Sequence, residues 1–559
     1  MNFENLPENW KVVRLGRVAE IVMGQSPPSS TYNTEGLGLP FLQGKFEFGE
    51  RHPTPIKWCS NPLKIAHKGD ILVSVRAPVG DVNISPCDLC IGRGLAAVRP
   101  SKDKVNMLYL FFFLKNIKHE LEKLGGGSTF SAITKDILTN LVIPLPPLPE
   151  QKRIVEILNF AEDLIKKQKE TIALIDKILM AKFLEMFGDP VTNPKGWEVR
   201  RLDEVILNMR HGISRKGIKK SLKNPLKCLR PSNINKQCKV NLSDVRIVKF
   251  SERDFNRAGL TKGELVISHL NGSIDHVGKC ILFVFEDKWI FDSNLLAIKL
   301  NPQKINSYYS YWVWRYLFIQ EKFKEIAVKT TGGQYLLTNE RLRVLQIPLP
   351  PIELQKQFAQ IVEEFEKKRE EMQKTLEILE SLFKLLQKKA FTGELTAEWR
   401  EQNNVEWEIP QITERQAVLL ASIYYHQAMV QKPAMVTVAM KSAFLLQQEA
   451  GLNLGYDFIP YKYGPFSKEV YEDIEELEKN LLVERVKPKK DLEMTEIRLI
   501  EEFKDWTEKI IDSLPEDIKE IVKAYIEKYG KMELNELLDY VYAKYPEYAV
   551  KSKRKRRRK

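Results

Sequence analysis

The chain has 559 residues, 43% of them hydrophobic, with a formal net charge of +13, material for several folded domains and a hint of an anionic partner. No apolar run approaches the roughly 20 residues that cross a bilayer, and Met1-Asn2-Phe3-Glu4-Asn5 lacks the basic-then-apolar layout of a secretory signal. A soluble, cytoplasmic chain with no membrane partner is therefore expected, and six cysteines in so long a chain make no disulfide framework.

The chain opens on Pro7-Glu-Asn-Trp10-Lys-Val-Val-Arg14-Leu15 and continues through short apolar runs such as Asp70-Ile-Leu-Val-Ser-Val75. Gly, Pro and Asn break these runs, as in a strand-rich unit with long loops. Cys87 and Cys90 form one CxxC with no second pair at zinc-ribbon spacing, and His67 and His119 are isolated, so these thiols read as reduced and metal-free. Next comes Leu141-Val-Ile143-Pro-Leu-Pro-Pro147-Leu-Pro-Glu-Gln151-Lys152. A proline cluster tolerates and fixes a helix entry, so a helix is expected to start there.

All three landmarks return. Pro194-Lys-Gly-Trp197-Glu-Val-Arg-Arg201-Leu202 repeats the opening 187 positions later. Lys68-Gly69-Asp70-Ile-Leu-Val73 reappears as Lys262-Gly263-Glu264-Leu-Val-Ile267, and Ile143-Pro-Leu-Pro-Pro147 as Ile347-Pro-Leu-Pro-Pro351, followed by Gln355-Lys356. The offsets drift from 187 to 194 to 204, as in a tandem duplication whose copies share a core and differ by loop insertions.

Each copy ends in a helix with a sustained 4-3 apolar period. The first reads Ile154, Leu158, Ala161, Ile165, Gln168, Ile172, Ile175, Leu179; the second reads Leu354, Phe358, Ile361, Phe365, Lys368, Met372, Thr375, Leu379, Leu382, Leu386. That period is a coiled-coil seam. Paired antiparallel, the helices would bring the polar interruptions Gln168 and Lys368 near mid-rod, where a polar group sets register; separate packing of each helix is the alternative. A spacer of about 38 residues spans roughly 57 Å, against about 34 Å between equivalent groove faces of B-DNA. Two unlike heads on such a rod suit an asymmetric, split DNA site. Gly188-Asp-Pro190 and Phe391-Thr-Gly393 close the two helices.

Beyond residue 410 the pattern is helical: Thr413 to Ala421, Val438 to Glu449, Ser467 to Asn480 and Glu516 to Lys528. Tyr463-Gly-Pro-Phe-Ser467, a helix, and Leu481-Leu-Val-Glu-Arg-Val486 resemble winged-helix-like modules of antitoxin-type proteins; a plain helical docking domain is the other reading. Lys551, Lys553, Arg554, Lys555, Arg556, Arg557, Arg558 and Lys559 carry eight of the thirteen net charges, either as an arm that neutralises phosphates or as a solubilising tail.

Trp10 with Arg14-Leu15, Lys68-Gly-Asp70, Gly126-Gly-Ser-Thr129, the Ile-Pro-Leu-Pro-Pro blocks with their Gln-Lys, Phe187-Gly-Asp-Pro190 and Ala390-Phe-Thr-Gly-Glu-Leu395 together resemble the specificity subunits of type I restriction-modification systems, over about residues 1–400. The resemblance implies an α+β chain: two similar target-recognition domains (1–149 and 189–351) joined by two long antiparallel coiled-coil helices (150–188 and 352–393). A small helical C-terminal domain (410–545) and the basic tail (546–559) follow. It also implies double-stranded DNA as ligand, two modification (methyltransferase) subunits as partners, and restriction (translocase/nuclease) subunits. The chain itself would hold no cofactor or metal, with S-adenosylmethionine, ATP and magnesium on the partners.

Major-groove readout needs forked donors or amides on accessible loops. Candidates are Gln43, Lys45, Arg76, Arg93, Ser128 and Thr129 in the first copy, and Arg210, Arg215, Lys219, Lys220, Arg230, Asn233, Gln334 and Tyr335 in the second. Any one of these cations is more often a phosphate contact or a solvated charge than a base reader. The tyrosines and tryptophans between Tyr308 and Tyr316 sit in a helical pattern and read as core. A phosphate-cradling GxxxxGK[ST] loop is absent, as are an Asn-Pro-Pro-aromatic tetrad and a glycine-rich strand-to-helix loop. Glu286-Asp-Lys288 alone resembles part of a nuclease set. A stand-alone endonuclease or methyltransferase with duplicated DNA-binding domains is thus the alternative to a non-catalytic subunit.

Overall fold

The computed structural model describes residues 3, 6–125, 132–214, 226–248, 251–486 and 495–552. Ser128, Thr129, Arg215, Lys219, Lys220 and the tail 553–559 lie outside them. The chain forms two compact units, Met1–Ala161 with Leu382–Lys559, and Glu162–Ser381. Among the described residues, no helix is long and apolar enough to cross a membrane.

In the first unit the opening motif and the proline block, far apart in sequence, become neighbours. Lys11–Arg14 pairs antiparallel with Val142–Leu145, Val13 facing Ile143. Behind this ribbon lies an antiparallel sheet of Ala19–Met23, Leu95–Pro100, Ile71–Ser74 and Val82–Ile84, in that spatial order. Its apolar side packs on the helix Met107–Asn116, whose Asn106 N-cap accepts from the Leu108 and Tyr109 amides. A second, five-stranded sheet carries Leu39–Leu42 parallel to Leu89–Ile91.

The second unit repeats this plan. Val199–Arg201 pairs with Gln346–Pro348, and Ile206–His211, Leu295–Leu300, Leu265–Ser268 and Cys280–Leu282 take the same sheet order. Leu226–Leu229 runs parallel to Trp289–Phe291, and Asn306 caps the helix Ser307–Ile319 as Asn106 does its counterpart. Tyr309, Trp312 and Trp314 of that helix are buried core. In both heads the first strand turns over the sheet end at a glycine that no other residue could replace. A Cβ at Gly24 would lie 2.2 Å from the Gly92 carbonyl oxygen, and one at Gly212 would lie 2.2 Å from that of Asp292.

The long helices span Leu148–Phe187 and Ile352–Ala390 and pair antiparallel. Gln168 Nε2 donates to the Met372 carbonyl at 2.9 Å; eight residues on, Asp176 accepts from Arg369 Nη2 at 2.5 Å; further on, the Phe183 and Phe187 rings meet Phe358. The first helix buries Ile154, Leu158, Ile165, Ile175 and Leu179, with Ala161, Gln168 and Ile172 half-buried. On the second, Phe358 is buried, and Leu354, Ile361, Phe365, Met372, Leu379 and Leu386 are half-buried.

Lys368 and Leu382 do not belong to the seam. Both are exposed, and Lys368 turns back to Glu364 on its own helix at 3.0 Å. Their places are taken one residue later by Arg369 and Phe383, with Val362 and Leu376 likewise inward of Ile361 and the exposed Thr375. A helix with 3.6 residues per turn drifts by about 20° per heptad against a 3.5 repeat, enough to move the inward position by one.

The remaining chain in the first unit is mainly helical: Glu414–Val430, Val436–Gln448, Lys468–Lys479, Lys504–Asp512, Glu516–Tyr529 and Leu534–Lys544. Thr413 and Ser467 cap two of these helices. The antiparallel strands Val483–Val486 and Glu496–Leu499, with Ala434–Met435 at the edge, complete a small α/β module. It rests on the first head through Lys11–Asp505 at 2.7 Å, Arg17–Glu484 at 2.8 Å and Arg17–Glu502 at 2.6 Å. The Trp407 indole also donates to the Asn9 carbonyl at 2.7 Å.

Candidate nucleic-acid interface

Each head is locked to its helix by the residues that repeat in the sequence. Gln151 is fully buried; its carbonyl accepts from the Asn106 amide at 2.7 Å and its amide donates to the Pro146 carbonyl at 2.7 Å. Gln355 does the same with Asn306 at 2.8 Å and Pro350 at 2.7 Å. Tyr109 and Tyr309 donate to the Pro144 and Pro348 carbonyls at 2.8 and 2.7 Å. The IPLPP…QK block is thus a joint: prolines expose carbonyls, and a buried amide and a phenol satisfy them.

The helix ends are joints too. Gly188 (φ +78°) closes the first helix and packs on Pro194, and Trp197 Nε1 donates to the Phe187 carbonyl at 2.8 Å. Gly393 (φ +81°) packs on Pro7, and Trp10 Nε1 donates at 3.0 Å to the buried Glu150 carboxylate, which also accepts from Thr396 and Arg400. Below the second head, Asp176 gathers Lys239 at 2.5 Å, Arg369 at 2.5 Å and Arg315 at 3.4 Å. Burial pushes its carboxyl up, but the three cations outweigh that and hold it below the ordinary carboxylate range.

At the loop end of the first head, Gln43 is exposed and in reciprocal hydrogen bonds with Ser26, Nε2 to Oγ at 2.9 Å and Oγ to Oε1 at 3.2 Å. Arg93 is exposed, and its backbone amide donates to the same Ser26 oxygen at 3.2 Å. Arg76 is exposed on the bridge to Ala132. Lys45 is half-buried against Asp81, which Lys118 also reaches at 2.6 Å. Partial burial raises the Asp81 carboxyl, and the two lysines more than reverse it. Gln43, Arg76 and Arg93 present polar groups at the surface, whereas Lys45 serves as a brace.

In the second head two candidates are already engaged within the fold. Asn233 is 2% exposed; it accepts from the Arg230 amide at 3.0 Å and donates to the Asn241 and Asp244 carbonyls at 3.1 and 3.0 Å, so it holds a turn. Arg210 forks onto the buried Glu264 at 2.5 and 2.7 Å and stacks on Phe291 at 5.7 Å. Its forked edge is spent on the acid of the repeated Lys-Gly-acid turn and one of its faces on Phe291. In the first head the equivalent acid, Asp70, is forked by Arg99 at 3.1 and 3.0 Å from a different strand. Arg230 is held by Asp244 at 2.8 Å. Gln334 is exposed on a turn closed by Thr330, and Tyr335 is half-buried in the strand Tyr335–Leu336.

Three surface features lie outside the candidate readers. Phe46 is 89% exposed. His211 is exposed, with Nδ1 3.3 Å from His269 Nε2 and Nε2 3.1 Å from the Asn339 amide nitrogen. Burial pushes His269 down to about 4, so it is neutral. Only distant neighbours in the sequence create this imidazole–amide group. Cys87 is exposed and Cys90 buried beside Cys59, its thiol pushed up to about 12 by burial. The CxxC does not converge on one point.

The sequence family described as the type I restriction modification DNA specificity domain matches residues 7–174 and 194–381. The antitoxin SocA-like, Panacea domain family matches residues 448–546. A putative type I restriction enzyme MjaX specificity subunit of Methanocaldococcus jannaschii is 53% identical over 180 residues, 31% of this chain and 42% of that relative's length. The MjaIX specificity subunit of the same organism is 27% identical over 425 residues, 70% of this chain and 95% of the relative. Among solved structures, the HsdS subunit of Thermoanaerobacter tengcongensis is 54% identical over 28% of this chain and 39% of that one, with a TM-score of 0.27. The family match takes in both copies of the duplicated plan. The chain belongs to the type I restriction-modification DNA specificity family, as a recognition subunit and not a catalytic one.

Proposed function

We propose that this chain reads a two-part, asymmetric site on double-stranded DNA, one part through residues 1–149 and the other through residues 189–351. In this reading it directs two modification subunits, which carry S-adenosylmethionine, and restriction subunits that use ATP and magnesium, in the cytoplasm. The observation that carries the reading is the doubled joint, in which Gln151 and Gln355 make the same pair of buried hydrogen bonds under heads whose outer loops differ. A shared mount with unlike surfaces is what two unlike half-sites require, because phosphate contacts position a protein and base contacts specify it.

The test is co-purification of the chain with its modification subunits, followed by mapping of methylated bases on genomic DNA. A two-part motif is expected. Exchange of residues 1–149 for those of a relative changes one half of it only; a change in both halves, or in neither, refutes the reading.

A further inference from the structure

We infer that Phe46 is an apolar base contact of the first head, meeting the C5-methyl group of a thymine in the half-site which that head reads. The inference rests on the DNA-reading proposed above and names a residue within it.

Phe46 is 89% exposed, yet the loop that carries it is fastened on both sides. Lys45 is braced on Asp81, and the turn closes with Phe48 N donating to the Lys45 carbonyl at 3.0 Å. Thr54 N donates to the Glu47 carbonyl at 2.8 Å, and His52 Nδ1 lies 2.9 Å from the Ile84 carbonyl. Arg51 then ties the loop to the long helix at Asn159. The ring therefore has little freedom to fold back, and the stabilisation that burial of a phenylalanine supplies goes unused in the free chain.

Gln43, three residues before Phe46, and the backbone amide of Arg93 share the Ser26 oxygen, so an exposed carboxamide and an exposed arginine stand at the same loop end as the ring. The major groove offers that mixture of partners: ring nitrogens and carbonyls for forked donors, and the thymine methyl for an apolar group. At the matching described position the second head has no ring. Leu39–Leu42 and Leu226–Leu229 take the same parallel place in their sheets; four residues past Leu42 stands Phe46, and four past Leu229 stands the buried Asn233. A residue that distinguishes the half-sites should differ in this way.

The experiment uses the full chain with its modification subunits and duplexes of the mapped motif in which each thymine in turn is replaced by uracil. The native chain is expected to lose about five- to thirtyfold in affinity at one position of the first half. Phe46→Ala should show the same loss on thymine DNA and no response to uracil there. Its thermal unfolding, and its uracil profile in the second half, should match the native chain. A first half without thymine on either strand, native affinity in Phe46→Ala, or an unaltered uracil profile overturns the contact. If the exchange of residues 1–149 changes one half of the motif while Phe46→Ala changes nothing, only this contact falls; if that exchange changes neither half, the DNA-reading itself falls.

Discussion

The two heads share a skeleton and part company at two places, the loop end and the flank beside the strands Lys11–Arg14 and Val199–Arg201. At the flank, Lys11 and Arg17 of the first copy stand where Glu198 and Glu204 stand in the second. The first pair holds Asp505, Glu484 and Glu502 of the C-terminal module; in the second, Glu204 turns to Arg200 and the Arg201 amide instead. Two reversed charges on an otherwise repeated surface give the module an address on one copy. Duplication supplies a common mount, and few substitutions are needed to make its two versions unlike.

The comparison breaks most readily in the second unit. Asp176→Ala leaves Lys239, Arg315 and Arg369 facing one another, and we expect a loss of about 3 kcal/mol in urea unfolding. A loss under about 1 kcal/mol would show the cluster to be screened by solvent. Next, Gln151→Leu and Gln355→Leu each orphan a buried amide and a buried carbonyl, at about 2 kcal/mol apiece. Clearly unequal losses would contradict the equivalence of the two joints.

Arg17→Glu, which installs the second copy's residue type, should release the module and speed limited proteolysis across residues 404–412 by about tenfold. An unchanged cleavage rate means the ion pairs do not hold the module. The last effect depends on pH and concerns His269. Its folded-state value is depressed to about 4 against an ordinary 6.5, so the unfolded chain binds the extra proton between these values. Stability is full above pH 6.5 and falls as pH drops toward 4, by about 1.4 kcal/mol per unit at most. His269→Gln should flatten that slope in thermal melts, and an unaltered slope assigns the acid sensitivity elsewhere.

Much of this was legible without coordinates, for identifiable reasons. The repeated Trp, Lys-Gly-acid and Ile-Pro-Leu-Pro-Pro blocks are local strings, and the helices expected over 150–188 and 352–393 run Leu148–Phe187 and Ile352–Ala390, because proline entry and glycine exit are local signals. The seam was legible in period and not in phase. Arg369, not Lys368, turns inward, since its choice depends on Asp176, 193 positions away. The loop residues were hardest to read: Asn233 and Arg210 look like readers in a string, and only Asp244 and Glu264 show that they are already engaged.

The amino-acid order by itself determined that the chain is doubled, where its long helices begin and end, and the family to which it belongs, because each rests on spacing along the backbone. Tertiary structure alone decided which polar groups stay free for a ligand and which copy carries the module. A side chain's availability is set by partners that folding brings from distant segments, and burial turns a potential donor into a brace.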